Sequence, residues 1–320
     1  MSSANSRPNV AVVGGGPWGR ALAGAAARRG GPVVLVTRRG PHGLQAGLPA
    51  GVRATAELAD AASARLIVLA LPSDHVEDTT ARLAPLLDGS HFVVHGIRGL
   101  VGDGLRTVSE VVRESTPVRR LGALGGPVLV EELARGAPSV IVIGSRFPEV
   151  VTAFREWFAS PTLRVYATSD LVGLEWASAL TGCVAVAIGC ALGAGMGPGL
   201  VAAFTTRAVH EVSRLAVEAG GERATLLDLA GLGDLLAALN QPGRPEVAFG
   251  RLLTEGVPLD EAKKRVPERI EALELVPRLH AWAEAHKVRT PIMRALHDVV
   301  FAGRGRDEVL GALMQGPVVD

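Results

Sequence analysis

Residues 10–19 read Val10-Ala11-Val12-Val13-Gly14-Gly15-Gly16-Pro17-Trp18-Gly19. The four apolar residues predict a short buried strand. They run directly into Gly14-x-Gly16-x-x-Gly19, and an alanine-rich stretch over residues 20–29 predicts a helix behind it. A strand, a glycine corner and a helix in that order leave bare backbone N–H groups at a helix start, where a pyrophosphate can sit. Gly14 permits the tight turn, Gly16 lets the backbone approach the phosphates, and Gly19 lets helix and strand pack closely. Glycine spacing alone is a weak signal, but here the flanking context the motif requires is present.

The same alternation continues outward from this corner. Apolar runs at residues 33–36, 66–71 and 92–95 predict further strands, and shorter ones lie at 121–124, 140–143 and 163–166. Helical patterns fall between them, at 76–87 and 104–115. Strands that are apolar almost without interruption imply a sheet buried on both faces, hence a doubly wound, mostly parallel α/β architecture. Past Ser169-Asp170, alanine, leucine and helical spacing dominate. The expected organisation is a Rossmann dinucleotide-binding domain over 1–170 and an all-α substrate domain over 171–320.

Composition narrows the function further. The 320 residues are 48% hydrophobic and 20% charged, enough apolar material for large cores and too little charge for global disorder. Thirty-three basic and 32 acidic residues leave a net charge of +1, so the chain carries no electrostatic footprint for nucleic acid. At 4% aromatic residues it also lacks base-stacking platforms. Cys183 and Cys190 form neither a disulfide framework nor a zinc spacing, and no metal site is expected. The polar residues 1–8 contain no secretory signal, so a cytoplasmic protein is expected. Residues 176–207 carry no charge before Arg207, but glycines and Pro198 interrupt them. They predict a core helix, a glycine-rich loop and a second buried helix rather than a membrane span. Such apolar helices also leave room for a homodimer.

The end of the second strand reads Thr37-Arg38-Arg39, with no carboxylate for a ribose 2′-hydroxyl. Paired guanidiniums suit a 2′-phosphate, which favours NADP(H) over NAD(H). The alternative is two solvated arginines at a strand end.

The order of motifs along almost the whole chain resembles the bacterial NAD(P)-dependent glycerol-3-phosphate dehydrogenases. The likeness includes Gly14-x-Gly16-x-Trp18-Gly19, Leu71-Pro72-Ser73, Gly96-Ile97-Arg98-Gly99-Leu100 and Gly126-Pro127 followed by Glu131-Glu132. It continues with Tyr166-x-x-Ser169-Asp170, Thr206-Arg207, Ala230-Gly231-Leu232-Gly233-Asp234, Val266-x-Glu268 and Thr290-Pro291-Ile292. The Gly-Leu-Gly-Asp segment is the most specific of these. The resemblance implies a cleft between two domains where nicotinamide hydride reduces a ketone such as dihydroxyacetone phosphate. It assigns to the nucleotide Gly14, Gly16, Pro17, Trp18, Gly19, Arg38 or Arg39, Ser73, Arg98, Val130, Val266 and Glu268. It assigns to the substrate Arg98, Gly126, Thr181, Asp234 and Arg244.

The chemical positions depart from that pattern. Arg98 stands where the family has lysine before Gly-Leu, and Val128 where it has serine or threonine. Thr181-Gly182 replaces Lys-Asn, whose lysine is the family's general acid/base, and Ala238 replaces threonine. The Ser-Arg-Asn phosphate site is reduced to Gly243-Arg244-Pro245, and Pro17 removes one hydroxyl from the nucleotide loop. Hydride addition builds negative charge on oxygen and needs a proton source. A threonine hydroxyl is a poor acid, and arginine stabilises an oxyanion but hardly releases its proton. The remaining candidates for the chemistry are Asp234, Arg98, Thr181 and His95. The bland readings are a helix cap for Asp234 and a backbone-bonded strand end for His95. The apolar replacements favour a larger or more apolar ketone. The expected function is an NAD(P)H-dependent oxidoreductase. Its alternatives are a catalytically impaired nucleotide-binding homologue and a reductase of a non-phosphorylated hydroxyacyl substrate.

Overall fold

A computed structural model describes residues 10–38, 47–241 and 243–303. Its centre is one eight-stranded sheet in the order β3-β2-β1-β4-β5-β6-β7-β8. The strands are β1 (Val10–Val13), β2 (Val33–Val36), β3 (Val52–Thr55), β4 (Leu66–Leu69), β5 (Phe92–His95), β6 (Arg120–Gly125), β7 (Ser139–Gly144) and β8 (Leu163–Thr168). All neighbours are parallel except β6 and β7. The predicted strands are present. The edge strand β3 was not anticipated, because Val-Arg-Ala-Thr is short and half of it faces outward. The central strand β1 pairs with both β2 and β4, so strand order reverses there. A crevice opens beyond the carboxyl ends of strands at such a reversal.

Alternation across the sheet explains the unbroken apolar strands. Val10, Val12, Leu35 and Val68 pack on one face, in one core with the helices Pro17–Ala27 and Pro148–Phe158. Ala11, Val13, Val36 and Leu69 point to the other face, in a core shared with the helical second half. Both sets are buried, so no position on these strands can be polar.

The helical half begins at Asp170, which caps the helix Leu171–Gly193 by accepting the Gly173 N–H at 2.8 Å. This is the one described helix long and apolar enough to cross a membrane, and it is buried inside the protein. A turn through Gly195 (φ 76°) leads to the second helix, Pro198–Glu218. The uncharged stretch thus forms two core helices joined by a glycine-rich loop. Burial pushes the Cys183 and Cys190 thiols up to about 12, so both are inert structural groups. The long helix docks on the sheet where side chains are missing. A Cβ on Gly125 would lie 2.6 Å from Ser178 Oγ, and one on Gly144 would lie 2.7 Å from a Leu174 methyl.

Candidate active site

Each glycine of the first corner meets a different constraint. Gly14 has φ 131°, and a Cβ there would fall 1.9 Å from the Ala70 carbonyl oxygen just past β4, so the turn from β1 into the helix Pro17–Ala27 admits no side chain. A Cβ on Gly19 would fall 1.8 Å from the Gly14 carbonyl oxygen, so helix and strand touch through backbone. Gly16 has open space around it, and no side chain caps the helix Pro17–Ala27 that starts there. An uncapped N-terminus facing open space is what a pyrophosphate requires, so these residues fit a dinucleotide. Pro17 is the first helical residue, where a missing N–H costs nothing. Trp18 Nε1 donates to the Gly96 carbonyl at 2.9 Å and ties the corner to the loop after β5.

The other nucleotide candidates come from several elements of both halves. Arg38 is exposed two residues beyond β2; Arg39 lies outside the described residues. Val130 is half-buried at the start of the helix Val130–Arg135, just past Gly126, which is buried with φ 91°. Val266 is buried and Glu268 is exposed, on the segment leading to Glu271. Ser73 is already engaged. Its N–H and Oγ both donate to the Glu271 carboxylate, at 3.1 and 2.6 Å. Arg269 in turn binds Glu271 (3.0 Å), Asp74 (3.2 Å) and Glu274 (2.7 Å). The loop after β4 is therefore clasped to the helical half by Glu271, a residue that no sequence motif marked.

The candidate catalytic side chains gather on Asp234. Residues 229–233 form a single π-helical turn, and Asp234 opens the helix Asp234–Leu239. Gly231 is needed inside this turn, since a Cβ would lie 2.1 Å from the Leu226 carbonyl oxygen. Asp234 is 1% exposed, and its side chain makes tertiary bonds instead of capping the helix. Oδ2 accepts from Arg98 Nη2 and from Thr181 Oγ1 at 2.8 Å. Oδ1 accepts from Arg244 Nη1 at 3.0 Å. Arg98 Nη2 also donates to Thr181 Oγ1 at 3.3 Å, and Arg244 Nε to Glu246 at 3.1 Å. Arg98, Thr181, Asp234 and Arg244 thus meet, from the loop after β5, the long helix, the π turn and the start of the helix Pro245–Thr254.

Among the described residues, two donors in this cluster have no protein partner: Arg98 Nε and Arg244 Nη2 are both enclosed. A third of the Arg98 side chain reaches solvent, whereas Arg244 is almost wholly enclosed. Burial, and then repulsion from Arg244, pushes Arg98 down to about 9 against the pull of Glu246; it remains a cation at neutral pH. Burial alone would raise Glu246, but Arg244 and Arg98 overcome it and hold its carboxyl below the usual glutamate range. The formal charges balance, so the cluster offers unpaired N–H groups rather than excess positive charge.

His95 does not join this cluster. Its Nε2 lies 2.8 Å from Glu175 Oε1, and its Nδ1 accepts the Ile97 N–H at 3.4 Å. The Ser109 N–H and hydroxyl complete the Glu175 carboxylate. With both ring nitrogens engaged in a buried network between sheet and long helix, His95 positions elements and has no free edge for a substrate. Arg207, of the Thr206-Arg207 motif, is exposed on the second core helix near Glu211. Glu175, Glu246 and Glu271 escaped the sequence reading. Only Glu246 left a trace, as a carboxylate two residues after Arg244.

Two family models match the chain: the N-terminus of NAD-dependent glycerol-3-phosphate dehydrogenase over residues 9–151 and its C-terminus over 170–310. The chain belongs to this family. A relative from Ectopseudomonas mendocina named glycerol-3-phosphate dehydrogenase [NAD(P)+] is 35% identical, covering 96% of this chain and 94% of its own. One of the same name from Azotobacter vinelandii is 33% identical, covering 97% and 95%. A crystal structure of glycerol-3-phosphate dehydrogenase from Coxiella burnetii superposes with a TM-score of 0.91 at 27% identity, over 97% of this chain and 99% of that one. A ketopantoate reductase from Ralstonia eutropha, at 17% identity and a TM-score of 0.61, shares the fold alone. The chain is therefore an oxidoreductase by family, with a nicotinamide dinucleotide as cofactor and a small molecule as substrate.

Proposed function

We propose that the protein interconverts an anionic secondary alcohol and its ketone, of the glycerol 3-phosphate and dihydroxyacetone phosphate type, with NADP(H) preferred to NAD(H). The observation that carries this reading is the Arg98–Thr181–Asp234–Arg244 cluster, with two enclosed N–H groups unpaired beside the nucleotide crevice. The bound nicotinamide supplies or accepts the hydride. Arg244 Nη2 holds the substrate's anionic group. Arg98 Nε offsets the charge building on the carbonyl oxygen, an effect worth about 3–4 kcal/mol for one such donor in comparable sites. Asp234 fixes both arginines and the Thr181 hydroxyl. The proton that completes the alcohol comes from solvent, since no lysine is present at Thr181. The exposed Arg38, just past β2, supports the preference for a 2′-phosphate.

Steady-state oxidation of NADPH and NADH with dihydroxyacetone phosphate and a panel of other ketones tests the proposal. Turnover is expected with NADPH favoured, and Asp234→Asn should lower kcat/KM at least 100-fold. Absence of turnover with every ketone and either nucleotide overturns it.

A further inference from the structure

The long helix holds three glycines after Thr181, and they are not alike. A Cβ on Gly189 would fall 2.1 Å from the Val247 carbonyl oxygen, and one on Gly193 would fall 2.4 Å from Thr254 Oγ1. Both let the helix Pro245–Thr254 lie directly on the long helix. Gly182 is buried as well, yet a Cβ there would meet nothing within 4 Å beyond its own helix and chain neighbours. Its missing side chain serves no packing contact. A glycine in a helix interior is also less favourable than alanine, so folding gives no reason for it.

The position adjoins the Asp234 cluster along the helix. Gly182 follows Thr181, whose hydroxyl binds Asp234. It lies one turn beyond Ser178, whose Oγ reaches the Leu124 carbonyl at the carboxyl end of β6. One further turn on, Ala185 packs with Ala238 and Val247. The open position therefore shares a helix face with Ser178 and Ala185, between the end of β6 and an apolar wall, and is next in sequence to Thr181 of the Asp234 cluster. Its polar neighbours are occupied: Ser178 and Thr181 both donate within the protein. Arg244, 5% exposed and joined to Thr181 through Asp234, keeps Nη2 unpaired.

We infer that Gly182 determines specificity. It opens room for an alkyl group on the ketone carbon, so the substrate is an anionic ketone carrying an apolar substituent of two or more carbons in place of hydroxymethyl. The inference rests on the proposed dehydrogenase activity and names the substrate class of that same site. Arg244 and Arg98 accept either a phosphate or a carboxylate as the anionic group.

The test uses the full chain with NADPH. The substrates are ketones R–CO–CH2–OPO3 with R ethyl or propyl, the matching R–CO–CH2–CO2 carboxylates, and dihydroxyacetone phosphate. The wild type should prefer the propyl ketone at least tenfold in kcat/KM, and the more active series identifies the anionic group. Gly182→Ala and Gly182→Asn should each reduce the propyl-to-hydroxymethyl ratio at least tenfold, while Gly182→Ala raises Tm. Calorimetric binding of pentyl phosphate against glycerol 3-phosphate, with nucleotide present, reads the pocket without turnover. Turnover whose size preference ignores Gly182, or pentyl phosphate binding unaffected by either variant, overturns the inference. Gly182-dependent binding with no turnover leaves the pocket standing and overturns the dehydrogenase reading alone.

Discussion

At the scale of single residues, the glycine corner after β1 was fully legible and the Asp234 cluster only in part. The three glycine roles follow from spacing, and each corresponds to a distance in the fold: two backbone clashes and one open position. Gly16 allows a clean separation of binding from folding. Its backbone is extended (φ −70°, ψ 175°), which valine tolerates, and a side chain there enters open space. Gly16→Val should change the stability of the ligand-free protein by no more than about 0.5 kcal/mol. It should abolish the gain of about 2.7 kcal/mol expected from nucleotide at 100 times Kd, read as a Tm shift. A variant that nucleotide still stabilises in full would show that phosphate does not pass over Gly16. Asp234, Arg98, Thr181 and Arg244 were legible as candidates, but the way they pair was not. Asp234 and Arg98 lie 136 positions apart, and no periodicity links them.

At the scale of elements, buried carboxylates fasten helices to one another, and sequence patterns marked them only as residues on an apolar helix. Glu211, on the helix Pro198–Glu218, is 2% exposed and accepts the Ile292 and Met293 N–H groups at 2.9 and 2.7 Å. It thus caps the helix Pro291–Phe301 from a distance. Burial raises its carboxyl to about 7; the two N–H groups, Arg214 and Arg207 oppose that rise without cancelling it. The folded state therefore holds a proton that the unfolded chain releases near 4.5. The stability from this group is fully present below pH 4.5 and is lost as pH rises towards 7, amounting to about 3 kcal/mol. Glu211→Gln should remove this component, so that wild type and variant diverge in denaturant midpoint between pH 4.5 and 7. Parallel curves across that range would show that Glu211 does not titrate there. His95 illustrates the same point in reverse. A histidine at a strand end suggests chemistry, but Glu175, brought by a helix 80 residues later, makes it a joint between elements.

At the scale of the whole molecule, the crevice is set by how the helical half is tied to the sheet. Glu271 spans the two, accepting the Ser73 N–H and hydroxyl while Arg269 braces it. Glu271→Ala leaves the 3% exposed Ser73 without a partner, at a cost of about 1–3 kcal/mol. Chemical denaturation should show that loss, and amide exchange should speed up in the loop after β4. Unchanged stability together with unchanged exchange would mean the clasp carries no load. The sequence by itself determined the α/β class, seven of the eight strand sites, the glycine corner after β1 and the family, because these rest on local patterns: apolar period, turn glycines and ordered short motifs. Only the tertiary structure decided that Arg98 and Arg244 share one carboxylate, that His95 is structural, that Glu271 closes Ser73, and that Gly182 faces open space. Each of those depends on burial and on pairs of side chains far apart in the chain, whose meeting is set by the packing of whole helices on the sheet rather than by any neighbour in sequence.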